Sequence, residues 1–370
     1  MDDLNLLCRK ALIMGKNRLL AILDEKNYMS KLTPYFSNNY NFLYGTAGVL
    51  YGLRELDNHI PQELIDFTLE EIKDKDDEVL LSSLSRGRLA ALITIYGITL
   101  DPSLEHKIKN LLNYEFSKII FSRNVRFSLA NGLSGIGLLS LIMFKITQKE
   151  YYLSLPDVIV KTILEQNIVL SEFGLAYGNT GLALFLLKYY RYKGQKSLLN
   201  QAKKYLLIDI QKGQLRNEKN KLRGIKDNCE SNIPYIYLAY GTAGILKTIL
   251  LYLRQSFDHV LIKELNFLVN SLKVSSTLQS GYILGTAGII STLGDVLNLE
   301  KDDPYHIRLY FENLIYSLLS TGFIIRDQII FPGDQNFKEF IDYGSGSIGI
   351  LLTLKKFMDN KEFDPIFKDL

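Results

Sequence analysis

Seven residues stand directly before a glycine that opens a short repeated segment: Tyr44, Arg86, Asn131, Tyr177, Tyr240, Leu284 and Ser345. All but Leu284 carry a hydroxyl, amide or guanidinium able to donate hydrogen bonds. Each glycine leads an apolar run, the pattern of a buried helix that starts at the glycine. The first turn of such a helix holds backbone N–H groups without helical partners and a partial positive charge. Seven helix starts converging on one cavity favour an anion there, for example a thiolate or an enolate.

These segments are one repeat. Six read Gly-x-x-Gly: LYGTAGVLYGL from Leu43, LANGLSGIGLLSL from Leu129, LAYGNTGLALFLL from Leu175, LAYGTAGILKTIL from Leu238, YILGTAGIISTLG from Tyr282 and YGSGSIGILLTL from Tyr343. A weaker seventh copy, SRGRLAALITIYG from Ser85, keeps Gly87 and has Ala90 in place of the second glycine. The first glycines lie 42, 45, 46, 63, 44 and 61 residues apart, and thirteen of the 26 glycines fall in the motifs. That is a period near 45 with two enlarged connections. A second small residue three positions on lies on the same helix face and predicts close approach of neighbouring helices.

Amphipathic stretches lie between the motifs, including PQELIDFTLEEIKDK from Pro61, PSLEHKIKNLLNYEFSKII from Pro102 and KSLLNQAKKYLLIDI from Lys196. Their apolar residues recur at three and four, which predicts outer helices with one wet face. A solenoid wants polar terminal caps, yet the first and last copies are as apolar as the middle ones. The expected fold is therefore all-α, an α/α toroid of about seven inner and seven outer helices. It is expected as a single domain over 1–370, with 1–40 as outer helix and lead-in and with inserted loops at 212–235 and 322–342.

Composition narrows the function classes. The 370 residues are 47% apolar and 22% charged, which is globular and not disordered. The net charge of +3 from 43 basic and 40 acidic residues gives no reason to expect nucleic acid as a partner. Cys8 and Cys229 are too few for a disulfide framework or a structural zinc cluster. Phe127–Phe144 carries no charge over 18 residues, but its serines, asparagine and glycines suit a buried helix better than a membrane span. The expectation is a soluble, cytoplasmic protein without a membrane segment.

The motifs resemble the lanthionine synthetase C-like (LanC-like) family from about Tyr40 to Lys355, most closely the cyclase domain at the carboxyl end of class III lanthionine synthetases. FLYGTAGVLYGL, GLAYGNTGLALFLL and PYIYLAYGTAGILKTIL carry that likeness. It implies an α/α toroid that adds cysteine thiols to dehydroalanine or dehydrobutyrine of a precursor peptide and closes thioether rings of lanthionine or labionin type. Zinc-dependent members hold the metal before the fifth and sixth motifs, with a histidine before the fourth. The matching positions here are Ala239, Ile283, Leu284 and Tyr177, and that set cannot bind zinc as cysteine and histidine do. His59, His106, His259 and His306 all fall outside the motifs. The resemblance therefore implies a cyclase with no metal and no other cofactor.

In such a site Arg86 or Arg88 would stabilise the thiolate, and Tyr177 would deliver a proton to the enolate carbon. Tyr240, Tyr44 and Asn131 would hydrogen-bond the enolate oxygen. The insert at 212–235 is basic, with Lys212, Arg216, Lys219, Lys221, Arg223 and Lys226, and is expected to draw in an acidic peptide. The insert at 322–342 reads as a hairpin or turn that forms a flap bearing Asp327, Asp334 and Asp342 as acidic candidates. No G-x-G-x-x-G loop, H-R-D or D-F-G segment is present, so kinase and lyase modules would dehydrate the peptide, in the same longer chain or separately. Two further readings compete: a catalytically silent toroid that holds the peptide or a partner kinase or lyase, and a carbohydrate enzyme. The last needs two opposed carboxylates, and Glu172 and Asp342 make no convincing pair.

Overall fold

The computed structural model describes all residues except 1, 27–28, 33–38, 74–86, 218–221, 300–301, 334–337 and 369–370. In chain order the helices begin with α1 (Asp2–Asp24), α2 (Thr46–Glu55), α3 (Gln62–Lys73), α4 (Arg88–Thr99) and α5 (Pro102–Ile120). They continue with α6 (Leu133–Thr147), α7 (Ser154–Glu165), α8 (Asn179–Lys193), α9 (Lys196–Gly213) and α10 (Thr242–Leu253). The last are α11 (His259–Ser271), α12 (Thr286–Leu299), α13 (Arg308–Ser320) and α14 (Ser347–Asp359). Two antiparallel hairpins pair β1 (Gln214–Asn217) with β2 (Leu222–Ile225), and β3 (Phe323–Ile325) with β4 (Gln328–Ile330). Each even-numbered helix follows an odd-numbered one in sequence, and each motif starts a helix. Thus α2, α4, α6, α8, α10, α12 and α14 all begin one residue after the first glycine of a motif.

Burial separates the two helix types as the sequence predicts. On α10 every residue from Thr242 to Tyr252 is buried, and on α6 every one from Leu133 to Leu141. Those helices are apolar around their whole circumference, so they have no face to offer water. Each fully enclosed leucine, such as Leu184 or Leu246, stabilises the fold by roughly 1.5–3 kcal/mol over an exposed one. On α5 only Leu104, Ile108, Leu112, Glu115 and Ile119 are buried, one stripe at helical spacing. Asp101 starts α5 by accepting from the Ser103 N–H at 2.8 Å, with Pro102 in the first turn.

The contacts divide the chain into two compact units, residues 1–79 with 273–368, and residues 80–272. In the first unit α14 packs on α1, α2 and α12, while α3 lies on α2 and α13 on α12. The segment after α14 brings Phe363 to 5.0 Å from the Tyr282 ring, inside a cluster with Tyr343 and Phe42. In the second unit α4, α6, α8 and α10 pack side by side, and α5, α7, α9 and α11 pack against them.

The motif glycines answer to their own loops more than to neighbouring helices. A Cβ at Gly181 would sit 2.5 Å from the carbonyl oxygen of Leu175, six residues earlier, and 2.8 Å from the Leu129 Cβ of the adjacent loop. Gly244 meets the Leu238 carbonyl in the same relation, with the Leu175 Cβ at 2.8 Å. At these two positions the expected close approach is made to the loop of the neighbouring repeat, and the second glycine also lets its own loop fold back over the first turn of its helix.

Both inserts differ in part from expectation. Within 322–342, Phe323–Ile325 and Gln328–Ile330 do form a hairpin, with Arg326 and Asp327 at its turn and Arg326 in the left-handed region at φ 58°. It is docked on α1 and does not hang as a flap: Arg18 reaches Glu339 at 2.7 Å and Gln328 at 3.3 Å, and Asn17 donates to Asp327. In the insert at 212–235, α9 runs on to Gly213 and β1 then pairs antiparallel with β2. No described helix is long and apolar enough to cross a membrane, and the uncharged stretch near Phe127 contributes to α6 within the packed core.

Candidate functional site

A ladder of backbone hydrogen bonds sets the motif loops side by side. In the second unit the Ala130 N–H donates to the Ala176 carbonyl at 2.8 Å, and the Ala176 N–H to the Ala239 carbonyl at 3.0 Å. All three residues lie two positions before a motif glycine. The residues one step on, Asn131, Tyr177 and Tyr240, therefore form a row. The first unit repeats the device, with Gly344 N–H on the Leu43 carbonyl at 2.6 Å and Ile283 N–H on the Gly344 carbonyl at 2.9 Å. This makes a second row from Tyr44, Ser345 and Leu284.

Two glycines let the loops of the second unit close together. Gly174 and Gly241 have φ of 94° and 101°, a region that side chains disfavour, and a Cβ at Gly174 would lie 3.0 Å from the Gly241 nitrogen. Beneath them Asp209 of α9, fully buried, fixes the start of α8. It accepts from the N–H groups of Gly174, Asn179 and Thr180, from the Asn179 amide and from the Thr180 hydroxyl, over 2.7–3.3 Å. Burial pushes this carboxyl up, and the hydrogen bonds pull it back, leaving it at about 6.

The row opens on a cavity of ≈ 260 Å³ lined by Glu172, Phe173, Tyr177, Asp227, Asn228 and Tyr240. The Tyr177 and Tyr240 rings stack with centroids 5.7 Å apart. Glu172 forms an isolated antiparallel bridge to Asn228, and the Phe173 N–H donates to the Asp227 carbonyl at 2.7 Å. Partial burial raises the Glu172 carboxyl above its ordinary range, and the nearby Asp227 charge raises it further. Asp227 Oδ1 is itself buried and has no hydrogen-bond partner.

The helix starts contribute less than expected. The first N–H of α10, at Thr242, donates to the Tyr235 carbonyl, and that of α6, at Leu133, to the Arg126 carbonyl, each seven residues back. At α8 Asp209 takes the N–H groups of Asn179 and Thr180. The expectation of unpaired N–H groups facing the cavity is corrected at these helices, because donors buried in a packed loop must find an acceptor.

Of the described residues singled out from sequence, Tyr177 and Tyr240 come together on the cavity wall, with Glu172, which the sequence offered only as a carbohydrate-enzyme acid. Asn131 stands beside them in the row and accepts from the Ser128 hydroxyl at 2.7 Å. Tyr44 is buried in the other unit, its N–H held by Asn41 at 2.7 Å. Asp342 is fully buried and accepts from the Ser345 and Gly346 N–H groups, so its carboxylate holds the turn that precedes α14. Arg88 is half-buried in the first turn of α4, and Arg223 is exposed on β2. Arg86, Lys221 and Asp334 lie outside the described residues. Among the described residues the insert at 212–235 reaches the cavity through Asp227 and Asn228. Asp209 and Asp227 were missed. Their signal was a carboxylate at an apolar helix position and an acid closing a basic run.

The donor set for zinc fails the chemical test. Ala239, Ile283 and Leu284 offer only hydrocarbon, and Tyr177 offers a phenol already stacked on Tyr240. Among the described residues no three His, Cys, Asp or Glu side chains gather as metal ligands, and all four histidines are exposed. Cys8 is buried, its thiol pushed up to about 12, and Cys229 is exposed.

Comparison with known proteins gives the fold a context. Residues 15–224, 123–308 and 170–368 match the family model described as lanthionine synthetase C-like protein, in overlapping placements as a repeat would give. A probable SapB synthase from Streptomyces coelicolor is 27% identical over 182 residues, 49% of this chain. The match spans only 19% of that relative's length. The structure of nisin cyclase superposes with a TM-score of 0.65 at 17% identity, covering 95% of this chain and 97% of the other. At that identity the likeness shows the fold class, the α/α toroid.

Proposed function

The chain belongs to the lanthionine synthetase C-like family, and on that premise we propose that it is a zinc-independent lanthipeptide cyclase. It would act on a dehydrated precursor peptide, adding a cysteine thiol across the double bond of dehydroalanine or dehydrobutyrine. The new C–S bond closes a thioether ring, the π electrons move onto an enolate, and a proton then returns to the α-carbon. The names of the two relatives, a SapB synthase and a nisin cyclase, support this substrate class.

The observation that carries the reading is the stacked pair Tyr177 and Tyr240 on the wall of a cavity beside their row of motif residues. Tyr177, where zinc-dependent relatives have histidine, would protonate the enolate carbon. Tyr240, with Asn131 beside it, would hydrogen-bond the enolate oxygen. No step runs through a metal, since the donor set does not fit one. Kinase and lyase modules, in the same longer chain or separate, would dehydrate the peptide upstream in the reaction, a reading that the class III resemblance supports, and free thiols as substrate would suit the reducing cytoplasm.

A second reading, a scaffold that only holds the peptide or a partner enzyme, is favoured by the same lack of metal ligands. One experiment separates them. The purified chain is incubated with a dehydrated precursor peptide under chelator, and remaining thiols are counted by alkylation and mass spectrometry. Thiol loss faster than in the protein-free control, surviving chelation, is the expected result. A rate equal to the control leaves the scaffold.

A further inference from the structure

We propose that Glu172 is the base that takes the thiol proton in the cavity it shares with Tyr177 and Tyr240. The proposal rests on the cyclase reading and adds to it the group that generates the nucleophile. A cysteine thiol is mostly protonated at neutral pH, and only the thiolate attacks. Without a metal some other group must remove the proton, and the two stacked phenols are assigned to the enolate.

The cavity wall holds two carboxylates, and their surroundings divide the work. Asp227 keeps Oδ1 buried behind the loop, whereas Glu172 is exposed and reachable by a peptide. Glu172 is also held in place, its backbone bridged to Asn228 and the next N–H, that of Phe173, bonded to Asp227. Among the described residues, the titratable groups that line the cavity with it are Asp227 from the insert and the phenols of Tyr177 and Tyr240. Lys226, next to Asp227 in the insert, donates to the Cys229 carbonyl at 3.0 Å. A carboxylate in negative and partly dry surroundings holds a proton more strongly, which narrows its gap to a thiol and makes it a better base near neutral pH.

The step balances without a co-reactant. The ionised Glu172 accepts the thiol proton, and the sulfur forms a bond to the β-carbon. The displaced π electrons pass to the enolate oxygen, Tyr177 protonates the α-carbon, and the proton on Glu172 returns to the tyrosine through solvent.

The test measures kcat/KM for thioether formation from pH 5 to 9 with wild type, Glu172→Gln and Asp227→Asn, each checked by thermal melting. Wild type is expected to show an acid limb. Glu172→Gln is expected to be slower on the order of 10²-fold near pH 7 and to follow only the ionisation of the peptide thiol. Asp227→Asn is expected to keep the limb but shift it to lower pH, because a neighbouring negative charge is gone. If Glu172→Gln matches wild type in rate and profile, or is slow with the limb unmoved, Glu172 is not the base. If it does not fold, the limb in Asp227→Asn decides, and an unshifted limb overturns the proposal. Wild type no faster than the protein-free control overturns the cyclase reading itself, a different outcome from a failure of Glu172 alone.

Discussion

The Tyr177 and Tyr240 rings lie 5.7 Å apart, with their planes 21° from parallel. They belong to consecutive motifs 63 residues apart in sequence. What joins them is the hydrogen bond from Ala176 to Ala239 and the contact of Gly174 with Gly241 one layer below. A stacked pair is worth about 0.5–1.5 kcal/mol beyond its buried area, enough to hold two phenols at one wall of a cavity without fixing their hydroxyls.

Replacing Tyr177 by Phe keeps the stack and removes the proton donor. The expected result is a fall in kcat on the order of 10²-fold with little change in KM and an unchanged melting temperature. Tyr177→Ala is expected to weaken substrate binding as well. Equal kcat for wild type and Tyr177→Phe would end the assignment of Tyr177 as donor.

Asp209 gives a prediction about stability. Its folded-state value of about 6 lies above the 3.9 or so of an unfolded aspartate. The native chain therefore binds the proton more tightly, and the carboxyl's contribution to stability falls as pH rises between those two values. Relative to Asp209→Asn, wild type is expected to lose roughly 2 kcal/mol from pH 4 to pH 6.5. The amide costs about 1–3 kcal/mol at its own unmatched donor. Urea unfolding of both proteins at the two pH values checks this, and a gap that does not change with pH refutes it.

The fold was legible because one signal repeats. Seven helices start one residue after a motif glycine, and that glycine can be read from the chain alone. The row of Asn131, Tyr177 and Tyr240 was legible for the same reason, since position relative to the glycine is a local property. The cavity was not. Glu172 reaches it through a bridge to Asn228, and Asp227 sits in an insert whose basic charges dominated its reading. Asp209 caps a helix thirty residues upstream, which no local pattern announces. The use of helix N–H groups was misjudged because their acceptors are carbonyls seven residues back, and a sequence does not display loop geometry.

Gly181→Ala tests the folded-back loop. The added Cβ would meet the Leu175 carbonyl at 2.5 Å and the Leu129 Cβ at 2.8 Å, and neither backbone can retreat without breaking the ladder at Ala130 or Ala176. A loss of about 2–4 kcal/mol is expected, far above the small gain that alanine brings inside an unstrained helix. Gly294 of α12 is the control, because a Cβ there meets only the Phe311 ring edge at 3.5 Å. Gly294→Ala is expected to be neutral or stabilising by denaturant unfolding. Similar losses at both positions would show that the clash with the loop is not the cause.

Glu339 ties the second hairpin to the amino-terminal helix, and its charge state sets how firmly. Burial disfavours its carboxylate, but hydrogen bonds from Arg18 and Lys31, each at 2.7 Å, outweigh that and hold it below its ordinary range. A carboxyl with a lowered folded value contributes fully above the unfolded value of about 4.3, and loses that contribution as pH falls through the lower one. Glu339→Gln is expected to cost on the order of 1–3 kcal/mol at pH 7, where it leaves two partly buried cations without their counter-charge. The cost should shrink below pH 4, as wild type becomes protonated too. Denaturant unfolding of both proteins at pH 7 and pH 3.5 measures it. A cost that stays constant would mean that the hairpin is held by the Ile341 N–H on the Lys31 carbonyl and the burial of Ile329 and Phe331, with the ion pairs adding nothing.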